Sequence, residues 1–211
     1  MKLNLFSCIF FVLLMLNTNP TFAQKTVNKK WWKESVFYQI YMPSYADSNS
    51  DGYGDFKGMT QKLDYLKELG IKGIWLTPFL TSPKVDNGYD IANYYEVDPT
   101  YGSKADFNTF LSEAHKKGIK VIIDMVFNHT STDSKWFQES RKSKDNLYRD
   151  YYIWKDEPNN WESFFGGTAW EKDTLTNQYY YHKFDKRMAD LNWSKTALHA
   201  RAAVNFALGE F

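Results

Sequence analysis

Cysteine is almost absent: Cys8 is the only one, and it falls inside the apolar run 5–16 near the start of the chain. A disulfide framework is therefore excluded, and stability has to come from a packed core, a bound ion, or both. Neither sign of charge prevails, with 26 Lys and Arg against 25 Asp and Glu. A nucleic-acid partner, which needs a basic face, is not expected. The run 5–16 is also shorter than the about 20 residues of a membrane-spanning helix. With Lys2 before it and Thr21, Phe22 and Ala23 after it, it has the layout of a secretory signal peptide cleaved after Ala23. Residues 1–23 are accordingly set apart from the fold. The mature chain is expected to be exported to a periplasmic or extracellular space, with no membrane attachment after cleavage.

Aromatic side chains are plentiful, at 18% of residues, with 15 Tyr and 8 Trp. Such rings stack on the C–H faces of sugars while their polar edges find hydrogen bonds, so carbohydrate is the ligand class that suits this composition. For most of them singly, a place in the core is the simpler expectation.

Along the chain, residues 36–42 alternate and then turn, as a first strand does. Residues 59–69 carry Leu63, Leu66 and Leu69 at helical spacing, and Gly70 closes them. Residues 71–76 are a second buried strand ending in Thr77 and Pro78. Ser103 opens a second helix, with Phe107, Phe110, Leu111 and Ala114 on one face and Gly118 after its end. Residues 119–127 are a third strand. Strand, helix, strand, helix, strand is the rhythm of right-handed βαβ units, hence an α/β fold with a parallel sheet. The region 130–193 breaks this rhythm with a long polar and aromatic insertion, and 194–211 return to an alanine-rich helical pattern.

Parallel α/β sheets place their chemistry at the carboxyl ends of strands. Asp124, Asn128 and His129 stand there, either as a functional cluster or as a satisfied cap of the strand end. The loop 46–58 sets Asp47, Asn49, Asp51 and Asp55 around two glycines. With the carbonyl of Tyr53, these form an oxygen set suited to a hard cation, calcium in preference to magnesium, with magnesium as the alternative. Gly58 occupies the place where an EF-hand carries its bidentate Glu, so the loop is not an EF-hand. A solvated turn rich in Asp and Asn is the alternative. After the second strand, Asp86 offers a carboxylate to sugar hydroxyls and Tyr89 a ring to stack beneath the sugar, although Asn87-Gly88 also marks ordinary turns.

Taken together, Val36-Phe37-Tyr38-Gln39-Ile40-Tyr41, the loop from Asp47 to Asp55, Gly73-Ile74-Trp75-Leu76-Thr77-Pro78, Asp86-Asn87-Gly88-Tyr89-Asp90 and the stretch from Asp124 to His129 resemble, in order, glycoside hydrolase family 13, the α-amylase family. Within it they resemble the α-glucosidase and oligo-1,6-glucosidase branch. The resemblance implies the amino-terminal part of a (β/α)8 TIM barrel. Residues 24–129 would be its first three βα units, 130–193 the B domain inserted after the third strand, and 194–211 a helix returning to the barrel. It implies that Asp86 holds the terminal glucose of an oligosaccharide substrate, that Tyr89 stacks beneath the sugar being cleaved, and that His129 bonds its primary hydroxyl. Asp124 and Asn128 would support the strand end. Met188-Ala189-Asp190-Leu191-Asn192 resembles the signature near the end of the family's B domain, but Met188-Ala189 stands where the branch usually has Gln-Pro, which leaves the linkage preference open. The family's nucleophilic Asp, acid Glu and stabilising Asp follow its fourth, fifth and seventh strands, beyond residue 211. Neither Glu210 nor Asp190 sits in the motif of a catalytic carboxylate, so this chain is expected to be a truncated and by itself inactive part of an exported, retaining α-glucosidase. A sucrose or trehalose isomerase sharing the same front half, or a carbohydrate-binding relative without catalysis, are the alternatives.

Overall fold

The computed structural model describes residues 30–194, and the chain divides into two compact units, Met1–Glu34 and Ser35–Phe211. The described part of the first is a single 3-10 turn, Trp31–Glu34, whose two indoles meet edge to face at 6.4 Å. The expected signal peptide and the expected helix after Ser194 lie outside the described residues.

The second unit starts with strand β1 (Phe37–Ile40). It is shorter than the expected 36–42 because Pro43 has no N–H for a ladder and Met42 donates its own to Thr77 Oγ1 at 3.1 Å, so the chain turns at Met42–Ser44. Asp55 caps helix α1 (Phe56–Gln61), accepting the Gly58 N–H at 2.7 Å. That cap starts the helix earlier than the expected residue 59, and Lys62 then separates it from α2 (Leu63–Glu68). Strand β2 (Gly73–Leu76) follows, and β3 (Leu80–Thr81) pairs antiparallel with β4 (Asn93–Val97), framing the loop between them. Helix α3 (Lys104–Lys116) opens on a reciprocal capping box between Ser103 and Asp106.

Strand β5 (Lys120–Ile123) also stops short of the expected 127. Asp124 makes one more bond to the sheet, its N–H to the Leu76 carbonyl at 3.1 Å. Beyond it the backbone is satisfied by a side chain instead: the Tyr94 hydroxyl reaches the carbonyls of Val126 and His129 at 2.7 and 2.9 Å.

Strands β1, β2 and β5 form one parallel sheet in that order, with Ile40, Leu76 and Ile123 level in register. One face packs on the helices through Ile40, Ile74 and Leu76, all without accessible surface, against a ring cluster in which Phe56 meets Phe79 and Phe107 at 5.2 and 5.3 Å. Each such side chain contributes on the order of 1.5–3 kcal/mol through burial. The other face carries Phe37, Trp75 and Ile122, which are exposed.

The remainder leaves and returns at one place. Strand β6 (His129–Ser131) pairs antiparallel with β10 (Met188–Asp190), so His129 lies opposite Asp190. Between them stand helix α4 (Lys135–Ser140) and a sheet of β7 (Trp154–Lys155), β8 (Trp170–Asp173) and β9 (Gln178–Tyr181), with β9 central. A second core of Phe137, Tyr151, Tyr152, Tyr180 and Leu191 holds this region together.

The turn into α1 is the tightest test of this packing. A Cβ on Gly58 would sit 2.3 Å from the Ala46 carbonyl oxygen, a backbone atom that cannot swing away. Gly58→Ala is expected to lower stability by about 1–3 kcal/mol, read as a drop in thermal midpoint; an unchanged midpoint would show that the loop and helix do not meet as described.

Candidate functional site

The loop between β3 and β4 is organised from within by Asp90, which has no accessible surface. Its oxygens accept from Ser82 Oγ at 2.8 Å, the Val85 N–H at 2.9 Å and the Asp86 N–H at 3.2 Å. Asn87 and Gly88 both take positive φ, 51° and 98°, and a Cβ on Gly88 would lie 2.9 Å from the Pro78 carbonyl oxygen. Tyr41 anchors the bend from β1, donating its hydroxyl to Asn87 Oδ1 at 2.9 Å.

This geometry delivers Tyr89 to the end of β5, where its hydroxyl donates to Asp124 Oδ2 at 3.0 Å. Burial, then the Asp124 carboxylate, push the Tyr89 phenol up to about 12. His129 is buried, with Nε2 3.1 Å from the Tyr89 carbonyl and Nδ1 3.2 Å from Asn128 Nδ2. A carbonyl only accepts, so Nε2 carries the proton and Nδ1 receives one from the amide. Burial holds the His129 pKa below its ordinary value, opposed by the Tyr89 carbonyl and by the charges of Asp86 and Asp90. The ring is therefore the neutral imidazole at pH 7.

Four of the five expected residues thus form one bonded chain, from Asp124 through Tyr89 and His129 to Asn128. Asp86 joins it through its backbone, accepting the Tyr89 N–H at 2.9 Å, while its half-buried carboxylate accepts no hydrogen bond from a described residue. The chain continues to a residue that sequence reasoning left without a role in the site. Asn128 Nδ2 also donates to Asp190 Oδ2 at 3.0 Å, and Asp190 Oδ1 accepts the Lys183 N–H at 2.8 Å. Burial raises the Asp190 pKa, against these two bonds. Phe184 meets the His129 ring edge to face at 5.5 Å. The only advance signal for Asp190 is its place in the 188–192 motif; its partner lies 62 positions away. Of the aromatic residues in the insertion, Trp161, Phe164 and Phe165 are exposed and Trp170 is buried.

The acidic loop is separate. Asp47 accepts the N–H groups of Asn49, Ser50 and Gly52 at 3.0, 2.7 and 2.9 Å. These amides, Gly52 foremost, hold its pKa below the usual carboxylate value. Asp51 accepts from Asn49 Nδ2 at 2.9 Å and from the Tyr53 N–H at 2.8 Å. Asp55 is committed to Ser48 and to its helix cap. Among the described residues no Lys or Arg pairs with these carboxylates, and no group of three His, Cys, Asp or Glu side chains is gathered as a metal-ligand set. The donors are all oxygens, two of them neutral (the Asn49 amide and the Tyr53 carbonyl) and the rest carboxylates. Asp47, Asn49 and Asp51, with the Tyr53 carbonyl, fit a hard dication chemically, and Asp55 is the member already engaged elsewhere.

Residues 39–206 match the model of the alpha amylase catalytic domain. The chain is 56% identical over 172 residues to an oligo-1,6-glucosidase of Parageobacillus thermoglucosidasius, covering 79% of this chain and 31% of that protein. It is 53% identical over 175 residues to a trehalose-6-phosphate hydrolase of Bacillus subtilis, covering 80% and 31%. Among solved structures, a trehalulose synthase superposes with a TM-score of 0.82 at 52% identity, over 85% of this chain and 34% of that one. A trehalose-6-phosphate hydrolase of Bacillus licheniformis gives the same TM-score at 50% identity and the same coverage. The chain thus spans about a third of the length of the curated relatives it matches.

The pH dependence of stability follows from His129. Its folded pKa lies below the ordinary 6.5, so the unfolded chain takes up the proton first as pH falls. Stability is complete above about 6.5 and is lost as pH drops through the folded value. The thermal midpoint is expected to fall from about pH 7.5 to about pH 5.5 more steeply in the wild type than in His129→Gln; equal slopes would remove the buried neutral ring from the account.

Proposed function

The chain belongs to the α-amylase family, whose catalytic domain is a TIM barrel, and from that membership we propose that it is the glucose-recognising front of an exported α-glucosidase releasing terminal α-linked glucose from oligosaccharides. The observation that carries this reading is the Asp124–Tyr89–His129 cluster beside the Asp86 carboxylate, which accepts no hydrogen bond from a described residue, at the level carboxyl ends of three parallel strands.

In this reading Asp86 accepts hydrogen bonds from the hydroxyls of the terminal sugar. The Tyr89 ring lies against its C–H face, held at its hydroxyl by Asp124 and at its carbonyl by His129. Both His129 nitrogens already have partners, so a contact with the primary hydroxyl requires the longer of the two bonds, to Asn128, to give way. Asp190 then keeps Asn128 in place as a positioning residue. By resemblance, the two carboxylates of a retaining mechanism, about 5–5.5 Å apart, belong to the part of the relatives' length that this chain does not span. The complete reaction is accordingly proposed for a protein of their length. The likeness to a trehalulose synthase favours one second reading, sucrose isomerisation. Product analysis on maltose, isomaltose and sucrose separates it from hydrolysis.

In a protein of that length, Asp86→Ala is expected to lower kcat/KM on isomaltose by roughly 10–100-fold, from the loss of charge-assisted hydrogen bonds, with the thermal midpoint unchanged. Full activity in that variant would overturn the assignment.

The acidic loop is proposed to hold calcium through Asp47, Asn49, Asp51 and the Tyr53 carbonyl, with Asp55 as a further carboxylate. When bound, the ion would neutralise the loop's charge and brace the start of α1. Added calcium is expected to raise the thermal midpoint, and Asp51→Ala to abolish that rise. Asp55→Ala should lower the midpoint even in a chelator, by about 1 kcal/mol of lost capping. A wild-type midpoint indifferent to calcium would leave Asp55 as a cap alone.

A further inference from the structure

Lys84 stands in the loop between β3 and β4 in a conformation that a lysine rarely takes. Its φ is 61°, in the left-handed region where a Cβ is disfavoured and Gly or Asn would serve a turn better. What its side chain reaches accounts for a lysine there. The ammonium pairs with Asp98 Oδ1 at 3.0 Å and donates to Thr100 Oγ1. It also lies 5.8 and 5.4 Å from the ring centres of Tyr53 and Tyr101. Asp98 is buried, so removing the ammonium would leave its carboxylate without the cation that pairs with it.

A short path of bonds leads from this ammonium to the residues placed at the sugar. The Ser82 N–H donates to Asp98 Oδ2 at 3.3 Å, and Ser82 Oγ donates to Asp90 Oδ1 at 2.8 Å. Ser82 Oγ also accepts the Lys84 N–H at 2.8 Å, which closes the path into a ring. Asp98 and Asp90 are both buried, and Ser82 bridges them. Asp90 in turn holds the N–H groups of Val85 and Asp86. The same ammonium lies over a ring of the acidic loop. The Tyr53 N–H donates to Asp51 Oδ1 at 2.8 Å, and the next residue, Gly54, donates its N–H to the Pro43 carbonyl at 2.9 Å. One charge therefore touches both loops.

We propose that Lys84 is a positioning residue for the terminal sugar: through Asp98 and Ser82 it fixes the loop that carries Asp86 and Tyr89, and through Tyr53 it ties that loop to the acidic loop. The inference rests on the reading of Asp86 and Tyr89 as sugar-binding groups. It holds whether or not the acidic loop carries an ion. Without Lys84 the loop has to be ordered each time a sugar binds, and the entropy of that ordering weakens binding. Ground state and transition state meet the same loop, so KM rises while kcat is kept.

The test is made in a protein of the relatives' length, with glucose binding read by calorimetry and isomaltose hydrolysis by initial rates. Lys84→Met keeps the aliphatic stem and removes the charge. It is expected to raise the glucose Kd and the isomaltose KM by roughly fivefold, with kcat within about twofold of the wild type. Lys84→Arg keeps a cation over both rings and should return both constants to within about twofold of the wild type. Tyr53→Leu should raise Kd by roughly twofold alone and add nothing to Lys84→Met, since both remove the same contact. An unchanged Kd and KM in Lys84→Met, whatever its thermal midpoint, would overturn the proposal, as would a Lys84→Arg no better than Lys84→Met. An unchanged Kd in Tyr53→Leu overturns the tie to the acidic loop even where Lys84→Met fails to fold. A wild type that neither binds glucose nor hydrolyses isomaltose would remove the glucosidase reading, and this inference with it. A wild type that does both, beside an indifferent Lys84→Met, would remove this inference alone.

Discussion

A carboxylate sealed from water needs donors, and Asp90 obtains three of them from the eight residues before it. That requirement shapes the candidate site. Bonding the N–H groups of Val85 and Asp86 curls the loop back on itself, which forces the positive φ of Asn87 and Gly88 and leaves Tyr89 pointing across the sheet end. Were Asp90 apolar, the loop would lose its internal acceptor, and the Tyr89 carbonyl would have no reason to stand opposite His129.

From Tyr89 the order passes into the insertion through bonds that each leave a single choice of proton position. A carbonyl on Nε2 and an amide hydrogen on Nδ1 admit one tautomer of His129, and the second amide hydrogen of Asn128 goes to Asp190. The pairing of β6 with β10 places His129 and Asp190 opposite each other, so backbone register and side-chain chemistry specify the same arrangement. Buried polar groups hold one geometry when they are satisfied, and the two buried members, His129 and Asp190, both have hydrogen-bond partners.

Much of the architecture was legible in the residues. The apolar periodicity of α2 and α3, the Ser103 cap, and the polar residues following β5 all point to βαβ units with chemistry at strand ends. Strand lengths were not legible, because what ended β1 and β5 was a side chain from elsewhere: Thr77 taking the Met42 N–H, and Tyr94 reaching the Val126 and His129 carbonyls. The start of α1 was misplaced for a related reason. Asp55 reads equally well as an ion ligand or as a cap, and the Gly58 N–H is what makes it a cap.

By itself the sequence determined the types of β1, β2, β5, α2 and α3, the Ser103 cap of α3 and the residue classes at the strand ends, because each depends on side chains within a turn or two of one another. It also carried the family, through motifs that keep their order along the chain. The tertiary structure alone decided that Asp190 supports Asn128, that Trp161 is exposed while Trp170 is buried, and that no described residue donates to the Asp86 carboxylate. Those outcomes turn on contacts between segments tens of residues apart, whose relative placement comes from packing and strand register rather than from local preference.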